Sequence, residues 1–433
     1  MIPILSSAAM RRADARAVAR RGVEALVRDA GLAIALVASQ HLRSCYGARV
    51  AVVAGPGLNG ADGRVAAEQL RRRGATVTVI EVADQPPALR GYDLVIDAAF
   101  GLGCTRPYRA PHVPPTTIVV AADLPSGVDA DTGEVLGQPM KAHVTVALGA
   151  LKPAHVTGHA AAYAGEVRLF SLGIESDDGD GLLERGDLAD FVRWNQSDHK
   201  WHHAVDVIAG STTMPGAADL VTRGALAGGA SMIRLATYGE IGAGVSIASE
   251  VVRTDGPPDA RSRSVVAGPG LGSDATAWLA ARLASVRVPV VLDADGLNQT
   301  VLGVRRGGPW VLTPHDGEYE RLVGSSPSAD RLDAARTLAR SSGCVVLLKG
   351  PTTVVANPDG HVRVIQSGTS ALATAGTGDV LAGLVGATIA RGHDPFDAAA
   401  LAAYAHGAAG SRLSRYARSS DLPDAISEVL GRS

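Results

Sequence analysis

Short, continuous apolar runs recur along this chain, and most of them end on a glycine or an acid. RVAVVA (49–54) leads into Gly55-Pro56-Gly57, DLVIDA (93–98) carries Asp97 and leads into Gly101-Leu102-Gly103, and TIVVAA (117–122) leads into Asp123. Similar runs stand at 75–82 and 144–149, with a helical stretch at 61–73 between the first two. Runs without polar alternation are buried on both faces, and alternation with helices predicts a parallel sheet covered on both sides. A second series follows at 205–209, 231–236, 264–267, 288–293, 309–313 and 344–349, closed by helices at 379–391 and 396–416. Residues 9–43 read as one helix ahead of the first strand. Between the two series, 172–200 is acidic, glycine-rich and weakly periodic, and reads as a linker plus a docking segment with a boundary near 180. The expectation is an α/β protein of two three-layer αβα domains, 1–180 and 190–433.

Composition narrows the function. With 433 residues, 46% hydrophobic and 19% charged, the chain can bury two cores. A net charge of -2 argues against nucleic acid or an anionic membrane held by bulk electrostatics. The cysteines, Cys45, Cys104 and Cys344, are too few and too scattered for a disulfide framework or a cysteine zinc site. The N-terminal stretch lacks the apolar core of a secretion signal, and no apolar run is long enough to span a bilayer, so a cytoplasmic protein is expected. Only four lysines (Lys141, Lys152, Lys200, Lys349) and four asparagines (Asn59, Asn195, Asn298, Asn357) occur, which marks each as a candidate for a specific role.

The strand ends carry the chemistry. Gly55 to Gly60 fits G-x-G-x-x-G between a strand and a helix, with Glu81 about 20 residues on, the pattern that presents bare N–H groups to a dinucleotide pyrophosphate. The same loop also serves as a tight turn without a ligand. Asn59, Asp97, Asp123 and Ser126 all follow or close strands, and in an open parallel sheet such residues meet in one crevice. Their oxygens suit a hard cation, and a carboxylate there can shuttle a proton. Taken singly, each acid is as well read as a helix cap. In the second half, Gly376-Thr377-Gly378-Asp379 opens a long apolar helix, forming an anion nest with an acid beside it. Lys349-Gly350-Pro351-Thr352-Thr353, Asp293 to Asn298, and His315 with Glu318 follow other strands. No G-x-x-x-x-G-K-[ST] loop is present, which disfavours the P-loop kinases.

GPGLNGADG, DLVIDAAFGLG, and AADLPSGVDADTG with VTVALGALKPAH resemble the YjeF N-terminal family, the NAD(P)H-hydrate epimerases, over about residues 9–175. The resemblance implies a Rossmann-like domain in which Leu58, Asn59, Gly60, Ala61, Asp62, Gly101, Leu102 and Gly103 hold the damaged dinucleotide. It implies a potassium ion on Asn59, Asp97 and Ser126, and Asp123 as substrate contact and proton shuttle. Leu58 and Ala61 depart from the family's usual Asn and Gly.

HKWHHAVDVIAGSTTMPGAADL, GPGLG, DADGLN, LTPHDGE, LLKGPTT and LATAGTGDVLAGLVGATIARG resemble the ADP-dependent NAD(P)H-hydrate dehydratases of the ribokinase-like superfamily, over about 190–430. That resemblance implies an adenine nucleotide on Lys349, Gly350, Pro351, Thr352, Thr353 and Gly378. It further implies Mg²⁺, a hydrate pocket formed by Ala217, Gly270 and His315, and Asp379 as the base. Trp201 and Ala204 stand where glycines are usual, and Asp316 where proline is.

Together the two resemblances imply a bifunctional enzyme that epimerises R- and S-NADHX or NADPHX and dehydrates the S form with ADP, giving NAD(P)H, AMP and phosphate. Both families favour multimers, so a homo-oligomer is expected. The competing reading is a ribokinase-like small-molecule kinase whose N-terminal half only binds. A hydride-transferring oxidoreductase needs no phosphate-donor site and fits less well.

Overall fold

The computed structural model describes residues 1–175, 179–190, 199–241 and 245–431, so parts of the expected linker and docking segment, 176–178 and 191–198, lie outside the described residues. The chain forms two compact units, Ile2–Asp180 and Gly181–Ser328 with Leu332–Ser433.

The first unit opens with two helices where the sequence reads as one, α1 (Ser7–Arg21) and α2 (Val23–His41). They break at Gly22, whose φ of 81° is a conformation that favours glycine, and whose N–H caps the Val18 carbonyl at 2.8 Å. The sheet follows: β1 (Arg49–Ala54), β2 (Thr76–Glu81), β3 (Leu94–Ala98), β4 (Ile118–Ala122), β5 (Val144–Leu148) and β6 (Glu166–Phe170). All pairs are parallel, in the order β2-β1-β3-β4-β5-β6. Side chains alternate across the sheet. Val50, Val52 and Ala54 pack with Ile34, Ala66 and Leu70 of α2 and of α3 (Leu58–Arg72), whereas Ala51 and Val53 pack with Leu89, Tyr108 and Met140, which lie outside this sheet. Each such aliphatic side chain contributes roughly 1.5–3 kcal/mol by leaving water. Strand order reverses between β1 and β3, which opens a crevice at their carboxyl ends.

The second unit has the order β7-β16-β15-β14-β13-β12-β11-β8-β9-β10. Its members are β7 (Gly181–Leu182), β8 (Ala204–Ser211), β9 (Met232–Tyr238), β10 (Val251–Arg253), β11 (Ser264–Ala267), β12 (Val290–Leu292), β13 (Trp310–Leu312), β14 (Val345–Leu348), β15 (Thr353–Ala356) and β16 (Val362–Ile365). Strand β15 runs against both its neighbours, and the others are parallel. The order reverses here between β8 and β11. Over one face lie α5 (Gly216–Ala227), α7 (Thr377–Ala390), α8 (Pro395–Gly410) and α9 (Leu422–Gly431), whose apolar residues form one core with the strands. Two shorter helices that bear on the sites are α4 (Pro153–Val156) in the first unit and α6 (Asp316–Val323) in the second. Helices α5 and α7 meet backbone to backbone: a Cβ on Gly224 would stand 2.2 Å from Val380 O, and one on Gly383 2.0 Å from Val221 O. Among the described residues no helix is long and apolar enough to cross a membrane, and the three cysteines are free.

Candidate active sites

The crevice between β1 and β3 is a cavity of about 470 Å³. Of the residues expected to hold a dinucleotide, Leu58, Asn59, Asp62, Gly101, Leu102, Gly103 and Asp123 line it. Gly60 and Ala61 do not. Gly60 is buried against the loop behind it, where a Cβ would stand 1.9 Å from Gly55 O. Glu81 also lies away from the cavity, because β2 is on the far side of β1, and its carboxylate pairs with Arg64 at 2.6 Å. Leu58, 61% exposed, stands at the rim.

Gly101 makes room at the centre. A Cβ there would lie 3.4 Å from Asn59 Cγ and 3.5 Å from Asp123 Oδ2, so its absence leaves these two groups facing one space. Both polar atoms of the Asn59 amide are buried without a hydrogen-bond partner, a costly state that a ligand relieves. Beneath the floor, Asp97 is wholly buried and its pKa is raised, chiefly by burial and despite hydrogen bonds from Ser126. Ser126 donates to it through N–H at 2.9 Å and Oγ at 2.6 Å, and Ser126 Oγ accepts from Phe100 N–H at 2.8 Å. No cation among the described residues pairs with Asp97. An orphaned amide oxygen, a hydroxyl and an uncompensated buried carboxylate are an oxygen set suited to a hard monovalent cation.

Asp123 has φ 63°, a strained conformation for a residue with a side chain. Its Oδ1 accepts from the buried Lys152 ammonium, and its carbonyl bonds His155 Nε2 at 2.6 Å. Burial lowers the His155 pKa to about 4, so this ring is neutral. Two more acids face the same space. Burial, with Asp123 and Asp14 nearby, pushes Asp62 up to about 8, and burial also raises Asp14 of α1. Asp14, Lys152 and His155 went unmarked as site residues in the sequence. The scarcity of lysine pointed toward Lys152, whereas nothing local distinguishes Asp14 from the other polar residues of α1.

In the second unit, Ala217 and Gly270 meet at the switch point: a Cβ on Gly270, φ 64°, would stand 2.5 Å from Ala217 Cβ. Gly268 presses on the next strand end, where a Cβ would stand 1.9 Å from Asp293 O, and Gly272 N–H donates to Asp295 Oδ2 at 2.9 Å. Asn298 caps a short helix by accepting from Val301 N–H at 3.0 Å. Lys349 Nζ binds Asp293 Oδ1 at 2.7 Å and Glu318 Oε2 at 3.5 Å. Burial works against its charge, yet Asp293 and Glu318 hold its pKa above the ordinary lysine value. Glu318 also receives His315 N–H at 2.9 Å, forming the capping box of α6. Helix α7 starts at Gly376, φ 92°, and Lys349 Nζ lies 3.4 Å from where a Gly378 Cβ would stand. Asp379, in the first turn, is pushed up to about 7 by burial, then by Asp293, against the pull of Lys349. Gly350, Pro351 and Thr352 form the turn into β15, where Thr353 is the first residue. The unusual residues are accommodated: Trp201 stacks 3.6 Å under the Arg261 guanidinium, Ala204 begins β8, and Asp316 sits in the first turn of α6, where the helix dipole favours an acid.

A family model described as NAD(P)H-hydrate dehydratase matches residues 205–432, and one described as YjeF-related protein N-terminus matches 23–91 and 80–154. The bifunctional NAD(P)H-hydrate repair enzyme of Mycobacterium leprae is 37% identical, covering 98% of this chain and 97% of that protein. The chain belongs to the bifunctional NAD(P)H-hydrate repair enzymes. The family member of Pyrobaculum aerophilum is 32% identical over 94% of both chains. Among solved structures, the ADP/ATP-dependent NAD(P)H-hydrate dehydratase of Bacillus subtilis, co-crystallised with ATP/Mg²⁺, is 27% identical with a TM-score of 0.51, covering 57% of this chain and 97% of that one. Within a repair enzyme the second unit's charge pattern has a direct reading. Three acids, Asp293, Glu318 and Asp379, surround one ammonium, a surplus of negative charge that a divalent cation would offset.

Proposed function

We propose that this chain repairs hydrated nicotinamide dinucleotides, exchanging the R and S epimers in its first unit and dehydrating the S form with ADP in its second. One observation carries the reading: each unit has an acid at the carboxyl edge of its sheet, Asp123 lining the first cavity and Asp379 among Asp293, Glu318 and Lys349 in the second unit, beside glycines that leave space for a ligand.

In the first unit the hydrate's hydroxyl-bearing carbon adjoins the ring nitrogen. A proton delivered to the hydroxyl lets the nitrogen's lone pair expel water, and water returning on the opposite face gives the proton back. Asp123 is the group that gives and takes that proton. Asn59, Asp62 and Gly101 to Gly103 line the substrate's place, and Leu58 supplies an apolar rim where the family has a polar residue. Asn59, Asp97 and Ser126 would hold a potassium ion, which when bound supplies positive charge near the substrate's phosphates.

In the second unit Asp379 takes the proton from the S-hydrate hydroxyl, and that oxygen attacks the β-phosphorus of ADP, releasing AMP. The ring nitrogen then expels phosphate, and loss of a ring proton gives NAD(P)H. The exposed N–H groups of Gly378 and its neighbours hold the transferring phosphate, and Lys349 and the turn through Thr353 face the nucleotide. Asp293 and Glu318 would hold Mg²⁺, which when bound would supply charge neutralisation for the phosphoryl group. Ala217, Gly270 and His315 flank the hydrate.

The test is recovery of reduced-nicotinamide absorbance from a mixed hydrate preparation given ADP, ATP or neither. Recovery with a nucleotide, with stoichiometric release of phosphate, supports the proposal. A stable phosphorylated product instead of NAD(P)H would assign the second unit to the small-molecule kinases.

A further inference from the structure

Asp123 is gripped by a single short segment, Leu148 to His155. Its Oδ1 accepts from Lys152 Nζ and, at 3.2 Å, from Leu148 N–H, while Lys152 Nζ also donates to Leu148 O at 2.7 Å. His155 Nδ1 accepts the Lys152 N–H at 2.9 Å, which fixes the ring proton on Nε2 and makes it the donor to the Asp123 carbonyl. The carboxylate and the backbone of a left-handed residue are therefore both clamped. Oδ2 is left over. Among the described residues no donor bonds it, and it faces the space beside Gly101 and Asn59.

We infer that Lys152 is a positioning residue for epimer exchange: it holds Oδ1 of Asp123 and so turns the other oxygen, Oδ2, into the cavity. The inference rests on the reading of Asp123 as the proton shuttle.

Lys152 is 1% exposed, and a buried ion pair is a poor way to gain stability, since an apolar residue of the same size usually serves as well. What the ammonium does here is electrostatic and local. Asp14 from α1 and Asp62 from α3 line the same cavity with their pKa values raised by burial, and the neutral His155 supplies no cation. Arg11, also at the cavity wall, directs its guanidinium to Leu102 O at 3.4 Å. Among the described residues Lys152 alone gives its charge to Asp123 directly.

The experiment uses the full chain with the pure R epimer and no nucleotide, following R-to-S exchange above the spontaneous rate. Lys152→Met should lower kcat roughly 100-fold with KM little changed, since the substrate still binds but Oδ2 is no longer held toward it. Lys152→Arg, which keeps the charge on a wider head, should lower kcat only about tenfold. Dehydration of the S epimer, which uses the other unit, should be unaltered in both. A parental kcat for Lys152→Met overturns the inference. If that variant does not fold, shown by loss of dehydration as well, Lys152→Arg decides: a parental kcat overturns the inference. Asp123→Asn separates the two levels. Full exchange in that variant sinks the shuttle reading and this inference with it, whereas lost exchange beside a parental Lys152→Met sinks only the role of Lys152.

Discussion

Asp379 sits near half-protonation at neutral pH, because burial and the Asp293 carboxylate push it up to about 7. The role of base proposed for it needs the ionised form. A folded-state pKa raised to this level leaves the group protonated below about 7, so the competent form is lost as pH falls. The expected profile of kcat/KM for S-hydrate dehydration, at saturating ADP, has an acid limb near pH 7 and drops about tenfold per unit beneath it. Asp379→Asn should remove that limb together with at least roughly 1000-fold of the rate, and leave epimer exchange intact. A limb that persists in the variant would mean another group is the base. The sequence singles out both acids, Asp123 by the strand it follows and Asp379 by the Gly376-Thr377-Gly378 before it. Their partners are not legible there. Lys152 lies 29 residues from Asp123 and Lys349 lies 56 from Asp293, and separations of that size are joined only by the sheet. Rarity marked both lysines, but it could not say which carboxylate each would meet.

At the scale of elements, the apolar runs gave strand positions within a residue or two, because burial on both faces leaves a strand little choice of composition. Breaks were less visible. Gly22 divides α1 from α2, and both helices line the first cavity, yet a single glycine in an apolar, helix-forming stretch reads as a weak helical position. The antiparallel strand β15 and its neighbour β16 escaped notice because each is four residues long and they are set among closely spaced turns, Gly350 to Thr352 and Asn357 to Gly360. The glycines of α7 were also opaque. Gly383 reads as a helix-weakening residue, whereas in the fold its missing side chain lets Val221 O approach, and Gly224 does the same for Val380 O. Gly383→Ala should therefore cost about 1–3 kcal/mol by forcing the helices apart. For a unit of this size that lowers Tm by roughly 2–10 °C. Because α7 carries Asp379 at its N-terminus, dehydration should weaken and exchange should not. An unchanged melting curve would show that the crossing relaxes freely.

The whole molecule repeats one device. Gly55 and Gly268 open the two echoing loops, and each presses on a carbonyl at a neighbouring strand end: a Cβ would stand 1.8 Å from Ala99 O in one case and 1.9 Å from Asp293 O in the other. Only glycine permits that approach, which falls across the β1–β3 switch point in the first unit and between β11 and β12, beside the β8–β11 switch point, in the second. The echo between GPGLNG and GPGLGS was plain in the sequence, and the strand reversal that gives it meaning was not, because strand order is a tertiary property. Two open switch points in one chain act in series on a mixed hydrate. The parent protein with ADP should restore reduced-nicotinamide absorbance to completion in one continuous course. Asp123→Asn should give a rapid rise equal to the S fraction, then a slow tail at the spontaneous rate of epimer exchange. Adding an equal amount of the Asp379→Asn chain, silent in dehydration but competent in exchange, should abolish the tail, since epimers that leave one site reach the other through solution. A tail that survives this mixing would show that exchange depends on something other than the Asp123 cavity.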